Sequence, residues 1–139
     1  MTDEDLRRIE TALGISLPEA YTRCVRQFPV PYLRGNYDSE LWDDADELID
    51  RNLELRTKFI REHVPWPHHW YFIGDPLTAC GYAIDLRDPT ASVVWVDHCD
   101  LRTVEGVRGK PFDEWINEWS IAVRADLEAD GIDPEAEPS

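Results

Sequence analysis

Trp70-Tyr71-Phe72-Ile73-Gly74-Asp75-Pro76, followed by Cys80 to Leu86, Arg87-Asp88-Pro89 and Ser92 to Val96, decides the fold. Three short runs rich in aromatic and β-branched residues are separated by Gly, Asp and Pro, the punctuation of strands joined by tight turns. The spacing predicts an antiparallel meander, with a further strand at Leu101 to Val104 and a short edge strand at Glu40 to Trp42. Working outward, helices flank this sheet. Thr2 and Asp5 form a variant capping box ahead of Leu6, Ile9 and Leu13 at helical spacing, and Gly14 stands where a left-handed cap ends a helix. Ser16 and Glu19 offer a second box, with Pro18 in the first turn and Tyr21, Cys24, Val25 and Phe28 on one face. Asp44 and Glu47 repeat the signal before a helix to about Glu62, which buries either Leu48, Leu55 and Phe59 or Ile49, Leu53 and Ile60. Pro111 opens a last helix carrying Phe112, Trp115, Ile116, Trp119 and Val123 three or four residues apart. The expected fold is therefore α+β: helices at the start, a mainly antiparallel sheet of four to five strands, and a final helix packed on it.

The chain has 139 residues, with 29 Asp and Glu against 14 Lys and Arg. That length suits one domain, here residues 1–127, followed by an acidic stretch, 128–139, without periodicity and expected to be a mobile tail. Hydrophobic residues make up 42% and there are 6 Trp, so the acidity does not spell disorder. A formal charge of −15 argues against nucleic acid or an anionic membrane surface as partner. No apolar run approaches the roughly 20 residues of a membrane span. The acidic opening is unlike a signal peptide, and three scattered cysteines fit a reducing compartment, so a cytoplasmic location is expected.

The acids are clustered. From Asn36 to Asp50 the chain carries Asp38, Glu40, Asp43, Asp44, Asp46, Glu47 and Asp50 without a base, and a second run lies between Asp126 and Glu137. The remainder holds 16 acids against 14 bases, so it is close to neutral. Trp42 sits inside the first run, either packed inward or standing as an aromatic anchor in an acidic interface.

Chemistry is harder to find. His68 and His69 are adjacent and point to opposite faces of a strand. His98-Cys99 with Asp97, Asp100 and Cys80 lacks the short ligand spacing of structural zinc sites. Gly106-Val107-Arg108-Gly109-Lys110 has the wrong spacing for a phosphate loop and is read as a turn. No serine elbow is present, and carboxylate pairs are too abundant to single one out. The expectation is no enzyme, no cofactor and no metal.

The order of motifs resembles the SUKH superfamily, which includes fungal cell-wall regulators linked to killer-toxin resistance and bacterial toxin-immunity proteins. The similarity runs from about Leu6 to Trp119. It rests on Leu13-Gly14-Ile15-Ser16-Leu17-Pro18-Glu19-Ala20-Tyr21, on Arg51 to Arg56, and on Trp66 to Asp75. Gly81 to Leu86, Val93 to His98, and Phe112, Asp113 and Trp115 complete it. Phe28 to Tyr32 replaces the glycine-rich link of many relatives, and Pro76 to Cys80 replaces a glycine pair. Both departures lie in loops and touch the partner surface more than the fold. The resemblance implies a non-enzymatic binding domain in which Gly14, Leu17, Pro18, Tyr21, Trp66, Ile73, Gly74, Gly81 and Asp85 make the fold. It also implies a protein partner, a cognate toxin domain. The acidity of the chain favours a basic, nuclease-type toxin, met by Tyr37, Asp38, Glu40, Trp42, Asp43, Asp44, Asp46 and Glu47. A scaffold or regulatory module without a toxin partner is the alternative.

Overall fold

The computed structural model describes residues 1–61, 66–76, 81–99 and 104–137. Three helices lead: α1 (Asp3–Leu13), α2 (Glu19–Arg26) and, after a 3-10 turn at Pro31–Leu33, α3 (Ala45–Arg61). Strands β1 (Trp70–Gly74), β2 (Tyr82–Asp85), β3 (Val93–Cys99) and β4 (Val104–Arg108) follow, then α4 (Phe112–Ala129). The strands form one antiparallel sheet in the order β1-β2-β3-β4, so the expected α+β meander is present.

Local chemistry explains most boundaries. Thr2 Oγ1 accepts from the Asp5 amide at 3.1 Å and Asp5 Oδ2 accepts from the Thr2 amide at 3.0 Å, closing the first capping box. The second box does not form. Glu10 takes the Leu17 amide at 2.9 Å, α2 starts at Glu19, and Pro18 caps it with no side-chain bond. On α3 Leu48 and Leu55 of the first apolar set are buried and Leu53 of the second is exposed, while the side chains of Phe59 and Ile60 lie outside the described residues.

Cross-strand partners share a face of the sheet. Tyr71, Ile84 and Val93 form one row, and Tyr82, Trp95 and Val107 the next. α2 and α4 cover that face: the Tyr21 ring lies 5.2 Å from Tyr71 and 5.8 Å from Phe112, and Trp115 lies 5.7 Å from Tyr82. The cover stops short of β4, leaving Trp95 and Val107 at 44% and 51% exposure. Of the run from Gly106 to Lys110, expected as a turn, Gly106 to Arg108 instead supply the last three of the five residues of β4. Gly106 is needed there because an added Cβ would lie 2.6 Å from the Trp70 ring.

The outer edge of β1 is sealed by side chains rather than by another strand. Asn52 Oδ1 accepts from the Phe72 amide at 2.8 Å while its Nδ2 donates to the Phe72 carbonyl at 3.0 Å. Arg56 and Trp66 both donate to the Trp70 carbonyl, and the Trp42 amide donates to the Ile73 carbonyl at 2.8 Å. Every such bond removes a backbone group that an exposed edge would offer to another chain. Residues 40–42 are therefore a loop held by one sheet-like bond, not the expected edge strand. They lie so close that a Cβ on Gly74 would stand 2.4 Å from the Glu40 carbonyl. Gly81 combines φ +81 with a carbonyl 2.5 Å from where its Cβ would be, so no other residue fits there. Asp85 accepts from the Arg87 amide at 3.0 Å and shapes the turn after β2.

The acidic segment 128–139, expected as a mobile tail, is laid against the body as far as it is described. α4 runs on to Ala129, and Gly131 at φ 75 turns the chain back. The Gly131 amide bonds to Glu128 and the Ile132 amide to Leu127, the paired bonds of a Schellman ending.

Candidate functional site

The loop from Arg34 to Asp44 carries most of the acids singled out by sequence, and its own chemistry uses several of them. Asp43 accepts from the Gly35 amide at 2.8 Å and from Arg34 Nε at 3.2 Å, and its side chain is only 9% exposed. It closes the loop. Asp44 caps α3, with Oδ1 accepting from the Glu47 amide at 3.1 Å and Oδ2 from the Tyr37 hydroxyl at 2.9 Å. That hydroxyl is pushed up to about 12, chiefly by its hydrogen bond to Asp44. Glu40 reaches away from the loop to accept from Trp119 Nε1 at 2.9 Å. Asp46 pairs with Arg8 on α1, and Asp38 stands exposed at the loop tip.

What remains forms a groove. Tyr37, 43% exposed, meets the Trp42 ring edge-to-face at 5.5 Å, and Trp42 meets buried Phe72 in the same way at 5.0 Å. This aromatic ladder runs from the surface to the core. Trp42 is both packed inward and presented outward, which answers the question its sequence position raised. Beside it lies a cavity of about 380 Å³ lined by Tyr37, Trp42, Glu47, Asp50, Arg51, Glu54 and Asp75. Glu47, Asp50 and Glu54 fall at i, i+3 and i+7 along α3, on one face of the helix. Arg51 sits 5.7 Å above the Phe72 ring and 3.5 Å from Glu54, so its charge is already engaged. The groove is thus an aromatic wall facing an excess of carboxylates. Trp42 Nε1 is buried and has no hydrogen-bond partner among the described residues.

The predicted residues therefore divide. Tyr37, Trp42 and Glu47 come together at the groove. Asp43, Asp44 and Asp46 border a separate cleft of about 520 Å³, where Arg8 and Arg34 offset them. Sequence reasoning missed Asp50, Glu54 and Asp75 as groove residues, although the helical spacing of the first two with Glu47 was legible.

Nothing in the described residues resembles an activated catalytic group. Burial pushes the Cys24 thiol up to about 12 and raises the buried hydroxyls of Tyr21 and Tyr71, all favouring the neutral, unreactive form. Burial, with Arg87 alongside, lowers His69. Among the described residues no three His, Cys, Asp or Glu gather in a way that could hold a metal ion. Cys80 and Asp100, considered as ligands from sequence, lie outside the described residues, as do the side chains of Asp97, His98 and Cys99. Among the described residues no helix is long and apolar enough to cross a membrane.

Tyr21 and Trp66 are fully buried, with Tyr21 hydroxyl to Tyr71 hydroxyl at 2.9 Å, and Gly74 and Gly81 sit where no side chain fits. Comparison with curated proteins and with solved structures finds no match. The profile of the SMI1 / KNR4 family (SUKH-1) matches residues 1–118, most of the chain and all the elements through the first part of α4, and the chain belongs to that family.

Proposed function

We propose that this chain is a non-enzymatic immunity-type protein that captures a cationic toxin domain in the groove between Tyr37, Trp42 and the outer face of α3. The observation that carries this reading is the groove itself, where Glu47, Asp50 and Glu54 share the outer face of α3 with an already engaged Arg51 beside two aromatic rings. An arginine or lysine side chain entering there gains carboxylate partners and an aromatic face together. A toxin that acts on nucleic acid is basic for its own reasons, and an acidic groove competes for that surface and speeds encounter. Family membership supports binding of a protein rather than chemistry on a small molecule.

The test is co-expression with the product of the adjacent reading frame, scored by rescue of growth and by co-purification. Affinity is then measured at low and high salt for the wild type and for a Glu47→Gln, Asp50→Asn, Glu54→Gln triple variant. The expected result is rescue, with affinity that falls with salt and falls at least about tenfold in the variant, mainly through slower association. An affinity indifferent to both would sink the electrostatic mechanism. Absence of rescue and of co-purification would favour a scaffold or regulatory module.

A further inference from the structure

Residues 130–137 meet one short stretch of the chain, 29–34, at two places directly and at a third through Arg124. Arg124 on α4 donates to the Pro29 carbonyl while pairing with Glu135. Pro134 is buried, and its carbonyl accepts from the Tyr32 amide at 3.1 Å. Glu137 lies 3.8 Å from Arg34, the residue that also holds Asp43. The segment is shaped for this task. Gly131 reverses the chain at the end of α4, and the Asp133 side chain accepts from the Glu135 amide at 3.0 Å while its carbonyl accepts from Ala136. That Asx turn, with Pro134 at its second position, presents the Pro134 carbonyl to Tyr32 in a pre-set bend. Beyond Arg34 the connections continue through Asp43 to Gly35, and through Asp44 to Tyr37 and the groove. The family match ends at residue 118, before Arg124 and the whole of this segment.

We propose that residues 130–137 act as a strap that fixes the 29–43 loop in the shape that builds the groove, a device lying outside the stretch matched to the family. Exposed ion pairs alone hold weakly. The strap is therefore held by Pro134 and the Tyr32 bond together with Arg124, which ties Glu135 to the Pro29 carbonyl. Its release frees the loop without unfolding the sheet. The strap's bearing on partner capture rests on the reading above, but its existence does not, so the test needs no partner.

Amide hydrogen exchange is measured on the full chain, on an Arg124→Gln, Glu135→Gln variant, and on a chain lacking residues 132–139. Exchange at Tyr32 and Gly35 is expected to rise at least about tenfold in both variants, while Phe72, Ile84 and Val94 keep their protection. Unchanged protection of Tyr32 and Gly35 in both would overturn the proposal. Loss of protection across the sheet in both would also overturn it, because the segment would then be part of the core rather than a strap. If the shortened chain alone unfolds, the double substitution decides between these outcomes. Weak partner capture with normal loop protection would count against the groove, not the strap.

Discussion

Asn52 satisfies both backbone groups of Phe72 with one amide and donates as well to the Leu48 carbonyl at 2.8 Å, all in a fully buried site. Its side chain stands where a neighbouring strand would otherwise pair, so it joins α3 to the sheet edge. Removing it leaves a buried N–H and a buried C=O unpaired, each costing about 1–3 kcal/mol. Asn52→Ala is expected to lower stability by about 3 kcal/mol in urea unfolding. Asn52→Leu is the sharper experiment, because it restores volume without pairing. It should lose about as much, and a leucine variant close to wild type would show that packing rather than the amide holds the edge. The residue was poorly legible beforehand. A polar residue between Leu48 and Leu55 looks like a solvated position unless its spacing is weighed above its chemistry. Gly81 and Gly74 were legible as fold-makers, but their reasons, a positive φ in one and a crossing carbonyl in the other, exist only once the chain has folded.

Between elements, the contact of α2 with the sheet is the best-defined junction and the one pH can probe. Tyr21 and Tyr71 share a hydrogen bond at 2.9 Å with both rings fully buried, and burial holds both hydroxyls above their ordinary value near 10. The folded state therefore favours the protonated form. The associated stability is fully present below about pH 10 and is lost as pH rises from there through the folded-state values. An ultraviolet titration should show these two of the 5 tyrosines ionising only as the fold is lost, in step with circular dichroism. Independent ionisation of every tyrosine near pH 10 with native dichroism would refute it. The elements themselves were readable where periodicity was long, as in α1, α3 and α4, and where strands were bounded by turns, as in β1 to β3. β4 was expected too early, at Leu101 to Val104, because Gly106, Gly109 and Lys110 carry turn composition. Of these only Gly106 lies in the strand, and its place there is set by the Trp70 ring, a contact separated by more than thirty positions in sequence. The reversal at Gly131 followed by Ile132, with Leu127 to receive it, was a signal present in the sequence and passed over once apolar periodicity ended.

Across the whole molecule the charge of −15 resolves into acids with different tasks, and composition could not separate them. Asp43, Asp44, Asp46 and Glu40 are neighbours of Glu47 in the sequence, yet each is bonded to another part of the protein. Asp50 and Glu54 continue the face of α3 that Glu47 begins, and with Asp75 they line the groove. The clustering that singled out the stretch was real, but it mixed loop-building carboxylates with those that line the groove, because burial is decided by tertiary contacts. Substitution separates the two groups. Asp43→Asn keeps the shape while weakening charge-assisted bonds to Gly35 and Arg34, and is expected to cost about 1–2 kcal/mol in urea unfolding. The Glu47→Gln, Asp50→Asn, Glu54→Gln variant removes like charges that repel one another along α3. It should unfold within about 0.5 kcal/mol of wild type, or slightly later at low salt, while capture of a basic partner slows. The reverse pattern, a stable Asp43 variant and an unstable groove variant, would mean that the groove acids maintain the fold and that recognition lies elsewhere on the surface.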